Sequence, residues 1–296
     1  MINQYKRFDV FRCTHESHQD FGNVVSVYHV LREKECYPHG CVYFKWRCRL
    51  FDQRLPCPRS YRHVGRKCAS CGEYYDEKVI KRPQLMLSPP DYERFLDELR
   101  EFEQWLRMHK GKESNCIATI TGVKPRFVVN HRYDRNRLSL QGFLLTFREG
   151  FIGLTHCEDT FYALVSPSLQ GRLRLSRGDR IEFRGTLRLD RGRFILHHLR
   201  GIEVEERGEG DAWTIAGARQ AQFRGTMYDQ QYEKCIQCPY GALVDIQETA
   251  LSPGNGSRRR KLLCLKGIEN PEYCIVQASQ RLFCADSCQS GEHLVS

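Results

Sequence analysis

Fifteen of the 296 residues are cysteine, and all but Cys116 and Cys157 fall into two groups toward opposite ends of the chain. In the first group, Cys36-x4-Cys41 and Cys68-x2-Cys71 are separated by 26 residues. Each pair can supply two thiolates to one tetrahedral ion. Gly40 and Gly72 suit the tight turns of such pairs, where a backbone amide must approach sulfur. Cys48 and Cys57 lie between the pairs, so a quartet of Cys48, Cys57, Cys68 and Cys71 is an alternative. The second group opens with Cys235-x2-Cys238 and closes with Cys284-x3-Cys288, while Cys264 and Cys274 offer a competing second half. Thiolate quartets predict structural zinc, two ions in all, and also suit an iron–sulfur cluster. Cys116 and Cys157 fall in strand-like runs and are expected in the core.

Other chemistries have no support. There is no Gly-x4-Gly-Lys-Ser/Thr loop, His-Glu-x2-His, Gly-x-Ser-x-Gly or Gly-x-Gly-x2-Gly pattern. Asp245 followed by Leu265-Lys266 lacks the second carboxylate a nuclease needs, and Cys264 stands in its place. No catalytic residue is predicted. The sequence has no run of 18 apolar residues and begins without the apolar stretch of a secretory signal, which predicts an intracellular protein with no membrane span, cytoplasmic or, in a eukaryote, nuclear. In a reducing compartment so many cysteines point to metal rather than disulfides.

The net charge of +10 is unevenly spread. Residues 1–87 carry +7 and 115–207 carry +6, whereas 88–114 and 208–296 carry −2 and −1. Arginine supplies 34 of the 46 cations, and its planar fork suits phosphates and stacks on bases.

These groups need elements to hold them. Val24–Glu33 and Val42–Phe51 are rich in β-branched and aromatic residues and flank the turn-like 36–41 segment, which predicts a hairpin. Tyr92, Phe95, Leu96, Leu99, Phe102, Trp105 and Leu106 recur at helical spacing, with Ser88 and Pro89 marking the start and Gly111 the end. This stripe is expected to be core, and the 92–106 face is also a possible dock for a protein partner. From 115 to 206 five strands are predicted: Cys116–Val129, Arg137–Phe147, Phe151–His156 with Thr160–Val165, Asp179–Leu189, and Arg193–Val204. Ile181 and Phe183 alternate with charges, so both should face inward. The Gly208–Asp211 stretch reads as a linker. Four segments result: a cysteine-rich domain at 1–87, an amphipathic bridging helix at 88–114, a β-barrel at 115–206, and a second cysteine-rich domain at 207–296.

The run from Gly178 through Leu187, then Gly192–His197 and Gly201–Val204, resembles the last two strands of an OB-fold, and Ala118–Val123 is similar to its first strand. The Ser166–Leu175 connection is short for the family's usual helix. The resemblance implies a mainly β protein with a central five-stranded OB-like barrel, flanked by zinc-ribbon-like domains. This combination resembles single-stranded-DNA-binding proteins of the replication protein A type, and it implies single-stranded nucleic acid as the partner. The cations expected to meet phosphates are Lys124, Arg126, Arg132, Arg137, Arg148, Arg184, Arg188 and Arg193. Phe127, Phe143, Phe147 and Phe151 are the expected stacking platforms, although alternation must send many of them into the core.

Overall fold

The computed structural model describes residues 1–16, 18, 22–132, 135–248 and 259–274. The chain forms two compact units. One holds Ile2–Met108 with Leu189–Arg193, and the other holds Met1, His109–Arg188 and the described residues from Phe194 onward.

In the first unit, β1 (Phe11–Arg12) pairs with β2 (Val24–Val25) and β5 (Gln84–Leu85). A separate antiparallel ribbon joins β3 (Cys41–Cys48) to β4 (Tyr74–Lys81), in register from Cys41 opposite Lys81 to Cys48 opposite Tyr74. The hairpin expected between Val24–Glu33 and Val42–Phe51 is therefore not formed. His29–Glu33 is instead a helical turn, closed by the His29 ring against Glu33 at 2.7 Å and anchored by the fully buried Val30. The partner of β3 lies further along the chain, where Tyr74–Lys81 matches its length and carries aromatic and β-branched residues of its own.

A short α1 (Arg49–Asp52) follows β3, and α2 (Pro89–His109) is the long helix. Ser88 caps α2, its hydroxyl accepting from the Asp91 amide at 3.4 Å. The apolar stripe Phe95, Leu99, Phe102, Trp105 and Leu106 is buried. Phe102 meets the Tyr5 ring edge-on at 5.0 Å, and the Arg7 guanidinium lies 5.2 Å from the centre of the Phe95 ring. These five residues are thus buried and present no open apolar face.

The second unit is mainly β. Its strands are β6 (Glu113–Arg132), β7 (Arg135–Ile152), β8 (Thr155–Cys157), β9 (Phe161–Val165), β10 (Arg180–Asp190) and β11 (Arg193–Glu206). β6 pairs antiparallel with both β7 and β10, β7 with β9, and β9 runs parallel to β11, the neighbour of β10. The pairing consequently returns on itself through β6, β10, β11, β9 and β7. Phe143, Phe147, Phe161, Phe183 and Phe194 are all buried there, and Phe147 stacks on Phe161 and Phe183. Full burial of such side chains contributes roughly 1.5–3 kcal/mol each. Ile181 and Phe183 face inward, as their alternation predicts.

The short connection after β9 holds α3 (Pro167–Leu173), capped by Ser166 and closed by Arg174 in the left-handed conformation. The turn before β10 is fixed by the fully buried Asp179, which accepts from the Ser176 amide at 2.9 Å and the Gly208 amide at 2.8 Å.

β6 outlasts the ring. After register shifts at 118–122 and 126–127, Val128–His131 run parallel to Asp245–Glu248 of β13 (Gly241–Glu248). β14 (Arg259–Cys264) and β12 (Thr226–Tyr228) continue this sheet, with α4 (Ile215–Arg224) and α5 (Glu233–Gln237) in the intervening chain. Phe127, Ala221, Val244, Ile246 and Leu263 form its core. The segment after 207 therefore shares a sheet with β6 rather than standing apart. Among the described residues no helix is long and apolar enough to cross a membrane.

Candidate metal centres and binding surface

Cys41 and Cys48 are the first and last residues of the eight-residue β3. At about 3.3 Å per residue they stand roughly 23 Å apart. The two ends serve different cysteines. Cys48 lines one cavity with Cys57, Cys68 and Cys71, and Leu50, Phe51, Arg59, His63 and Tyr74 are among the other residues of its wall. At the other end Cys41 lies near Cys36 and Cys13. The Cys36 thiol is pushed up first by burial and then by the charges of Cys13 and Cys41. Cys36 and Cys41 thus cannot share an ion with Cys68 and Cys71, and the cavity gathers the quartet Cys48, Cys57, Cys68 and Cys71.

Cys68 and Cys71 sit on a tight turn just before β4, with the Cys71 amide donating to the Cys68 carbonyl at 2.8 Å and the Tyr74 amide to the Cys71 carbonyl at 3.0 Å. No residue from Tyr37 to Arg82 is buried. A segment of this kind has no core to hold it, which is the situation that structural metals relieve in small domains. Among the described residues no group of three or more His, Cys, Asp or Glu side chains is placed so that it could hold a metal ion as it stands. The quartet fits zinc by donor type and shared cavity, since thiolates converge as the ion neutralises them.

All thirteen described cysteines are free thiols. Cys235 and Cys238 are buried, Cys264 ends β14, and Cys274 follows a short helical turn. Cys284 and Cys288 lie outside the described residues. Cys116 and Cys157 are core thiols, pushed up to about 12 and about 11, chiefly by burial, and hence inert.

Several residues expected to bind nucleic acid have other work. Phe127, Phe143 and Phe147 are fully buried and offer no face to a base. Lys124 donates from its ammonium to the carbonyls of Ile236 at 2.9 Å and Gly241 at 3.0 Å, and burial lowers its pKa. Arg126 and Arg260 both pair with Asp245, at 3.2 and 2.6 Å. Burial works to raise the Asp245 pKa, but the Arg260 and Arg126 guanidiniums outweigh it and hold the carboxyl below its ordinary value. The Lys266 ammonium lies 4.4 Å from the centre of the Tyr240 ring.

Arg137, Arg148, Arg184 and Arg188 are exposed, with Arg184 facing Glu113 at 3.6 Å. Arg193 is half-buried, Phe151 is exposed, and the side chain of Arg132 lies outside the described residues.

A denser cationic surface lies on the cysteine cavity's own loop. Arg54, Arg59, Arg62, Arg66 and Lys67 are all exposed, and none pairs with a described carboxylate. The sequence carried this signal: no acidic residue stands between Asp52 and Glu73. On the adjoining ribbon, Val42, Phe44 and Trp46 project from one face of β3, with Ile80, Lys78 and Asp76 opposite them on β4. Phe44 is 62 % exposed and Trp46 48 % exposed.

No family model, curated protein or solved structure matches the chain. The functional reading therefore rests on these residues alone.

Proposed function

We propose that the chain is a zinc-stabilised protein that binds single-stranded nucleic acid, and that its N-terminal module is the principal contact surface. The observation that carries the reading is the loop 53–72, with five exposed cations and no acid, beside two exposed aromatic rings on β3. Cations that track phosphates next to rings that stack on bases are what sequence-tolerant single-strand binding requires. Zinc held by Cys48, Cys57, Cys68 and Cys71 fixes the ribbon end and the loop, and so presents both groups together.

In this reading the five-strand ring is an OB-like barrel, its third and fifth strands parallel and its helix between the third and fourth. Such barrels bind oligonucleotides on the face of strands two and three and with the loops that follow strands one and four. Here the outward residues where β7 and β9 pair, Leu144, Thr146, Tyr162 and Leu164, include no cation, and the exposed Arg137 and Arg148 stand on β7 outside that paired stretch. The loop after β10 is engaged too, because the Gly192 carbonyl accepts from Asn3 at 2.9 Å. These two features move the charge-bearing surface from the barrel to the cysteine module.

A titration of metal-loaded full-length protein with mixed-sequence single strands tests the proposal. Five phosphate contacts give a logarithmic salt slope near −3.5, at about −0.7 per contact. Arg59→Gln with Arg62→Gln should flatten it by about 1.4 units, whereas Arg184→Gln with Arg188→Gln should leave it unchanged. Absence of binding at low salt sinks the reading. So does a loop variant that loses its metal while keeping its slope, because the cations would then serve the thiolate site instead. Colourless protein with stoichiometric zinc is expected, and brown protein would indicate an iron–sulfur cluster.

A further inference from the structure

We propose that Cys235, Cys238, Cys264 and Cys274 hold one structural zinc ion, and that Lys124 is the positioning residue that braces its first ligand turn. The site is independent of the nucleic-acid reading and of the cavity in the N-terminal module.

The backbone brings the four cysteines together from three places. Cys235 sits in α5 and Cys238 ends it, and the Gly241 amide returns to the Cys238 carbonyl at 3.0 Å. A Cβ at Gly241 would lie 1.7 Å from the Cys235 carbonyl oxygen, so only glycine permits this turn to fold onto the start of β13. Directly across the β13–β14 pair, Gly241 faces Cys264. Cys264 itself enters a second tight turn, closed by the Gly267 amide at 3.1 Å with Gly267 at φ +74°. Cys274 arrives last, after the helical turn Pro271–Tyr273, whose Pro271 carbonyl accepts from the Lys234 ammonium at 3.0 Å. That bond ties the turn to α5. Cys235 is buried in one cluster with Tyr228 and Leu262, and Cys264 packs against that cluster.

Lys124 supplies the second line of argument. Lys124 is half-buried, and an ammonium drawn even partly out of water needs partners for its donors. Its two bonds, to the carbonyls of Ile236 and Gly241, bracket Cys238 and clamp the ligand turn from below. A zinc ion with four thiolates carries a net charge of about −2, and a neighbouring lysine offsets part of it. Among the described residues no group of three or more His, Cys, Asp or Glu is placed to hold an ion, so the four thiols have to converge as the ion binds. This ligand set takes the Cys264 and Cys274 half of the second cysteine group rather than Cys284 and Cys288.

The experiment is cysteine alkylation mapped by mass spectrometry on the zinc-loaded full chain, which needs no variant. Cys235, Cys238, Cys264 and Cys274 should be protected together and become reactive together on chelation. Cys284 and Cys288 should react throughout. Protection of the 284 and 288 pair in place of 264 and 274, or unchanged reactivity of all four on chelation, overturns the proposal. Cys264→Ser and Cys274→Ser should each lower bound zinc by one ion, and Cys284→Ser and Cys288→Ser by none. Lys124→Met tests the brace: zinc affinity at this site should fall about 10- to 100-fold, the usual effect of losing a supporting contact. Unchanged affinity removes Lys124 from the proposal.

Discussion

The strand ring of the second unit and the β3–β4 ribbon of the first are both built from paired strands, yet different forces hold them. The ring buries five phenylalanines among its strands. In the ribbon and its loop, residues 37–82, no residue is fully buried. Its large apolar residues Val42, Phe44, Trp46 and Ile80 instead face solvent. A ring stabilised by area removed from water needs no ion, whereas a coreless ribbon needs a crosslink. In the proposed reading zinc supplies the stability that these exposed aromatics do not, which leaves them free for a ligand.

Metal withdrawal should separate the two regions most sharply. Structural zinc supplies roughly 10–16 kcal/mol in small domains, far more than a 46-residue coreless segment can replace. Chelation, or Cys57→Ser, should make residues 37–82 susceptible to protease while the ring remains resistant. Equal resistance of both regions would mean that the ribbon is held by something other than its cysteines.

The converse change is Phe183→Asp. Phe183 is 1 % exposed and stacks on Phe147, so a carboxylate there loses the packing and buries an unpaired charge. Destabilisation beyond about 4 kcal/mol is expected, enough to abolish cooperative melting of the ring. Zinc should not rescue it. A soluble variant with an unaltered melt would show that Phe183 does not face inward.

The sequence made the ring legible because its signals are local. Alternation in Arg180–Arg184, the cap at Ser166 and the turn at Ser176–Asp179 each act within a few residues. The ribbon was illegible because β3 pairs with a strand 25 residues beyond its end, and β propensity alone does not choose a partner. That same pairing decides which cysteines meet, since Cys41 and Cys48 are sent to opposite ends. Lys124 reads as a surface cation until the Ile236 and Gly241 carbonyls, more than a hundred residues away, close around it. Phe143 and Phe147 satisfy the period of a strand, but a period does not say which face is inward.

A smaller effect tests the region where β6 leaves the ring. Asp245 is held below its ordinary carboxylate pKa by Arg260 and Arg126, so its pairing contributes stability above about pH 4 and loses it as pH falls through the depressed value. Asp245→Asn should cost about 1.5–3 kcal/mol at neutral pH, by urea unfolding. The difference from wild type should shrink in acid. A constant difference across that range would mean that the substitution acts through packing and not through charge.

The finest test returns to the ribbon and concerns a substitution that should not affect stability at all. Trp46 lies opposite Asp76 with about half its surface in water, so Trp46→Leu removes the ring while keeping most of the apolar contact it makes. Surface changes of this kind stay within about 0.5 kcal/mol. Stacking of a base on an aromatic ring, by contrast, is worth about 1–3 kcal/mol, and its loss weakens affinity about 5- to 150-fold. The salt slope should be unchanged, because the ring touches no phosphate. A melting shift comparable to that of Asp245→Asn would make Trp46 part of the ribbon's own packing. Unchanged affinity at unchanged stability would leave the exposed face of β3 outside the binding surface.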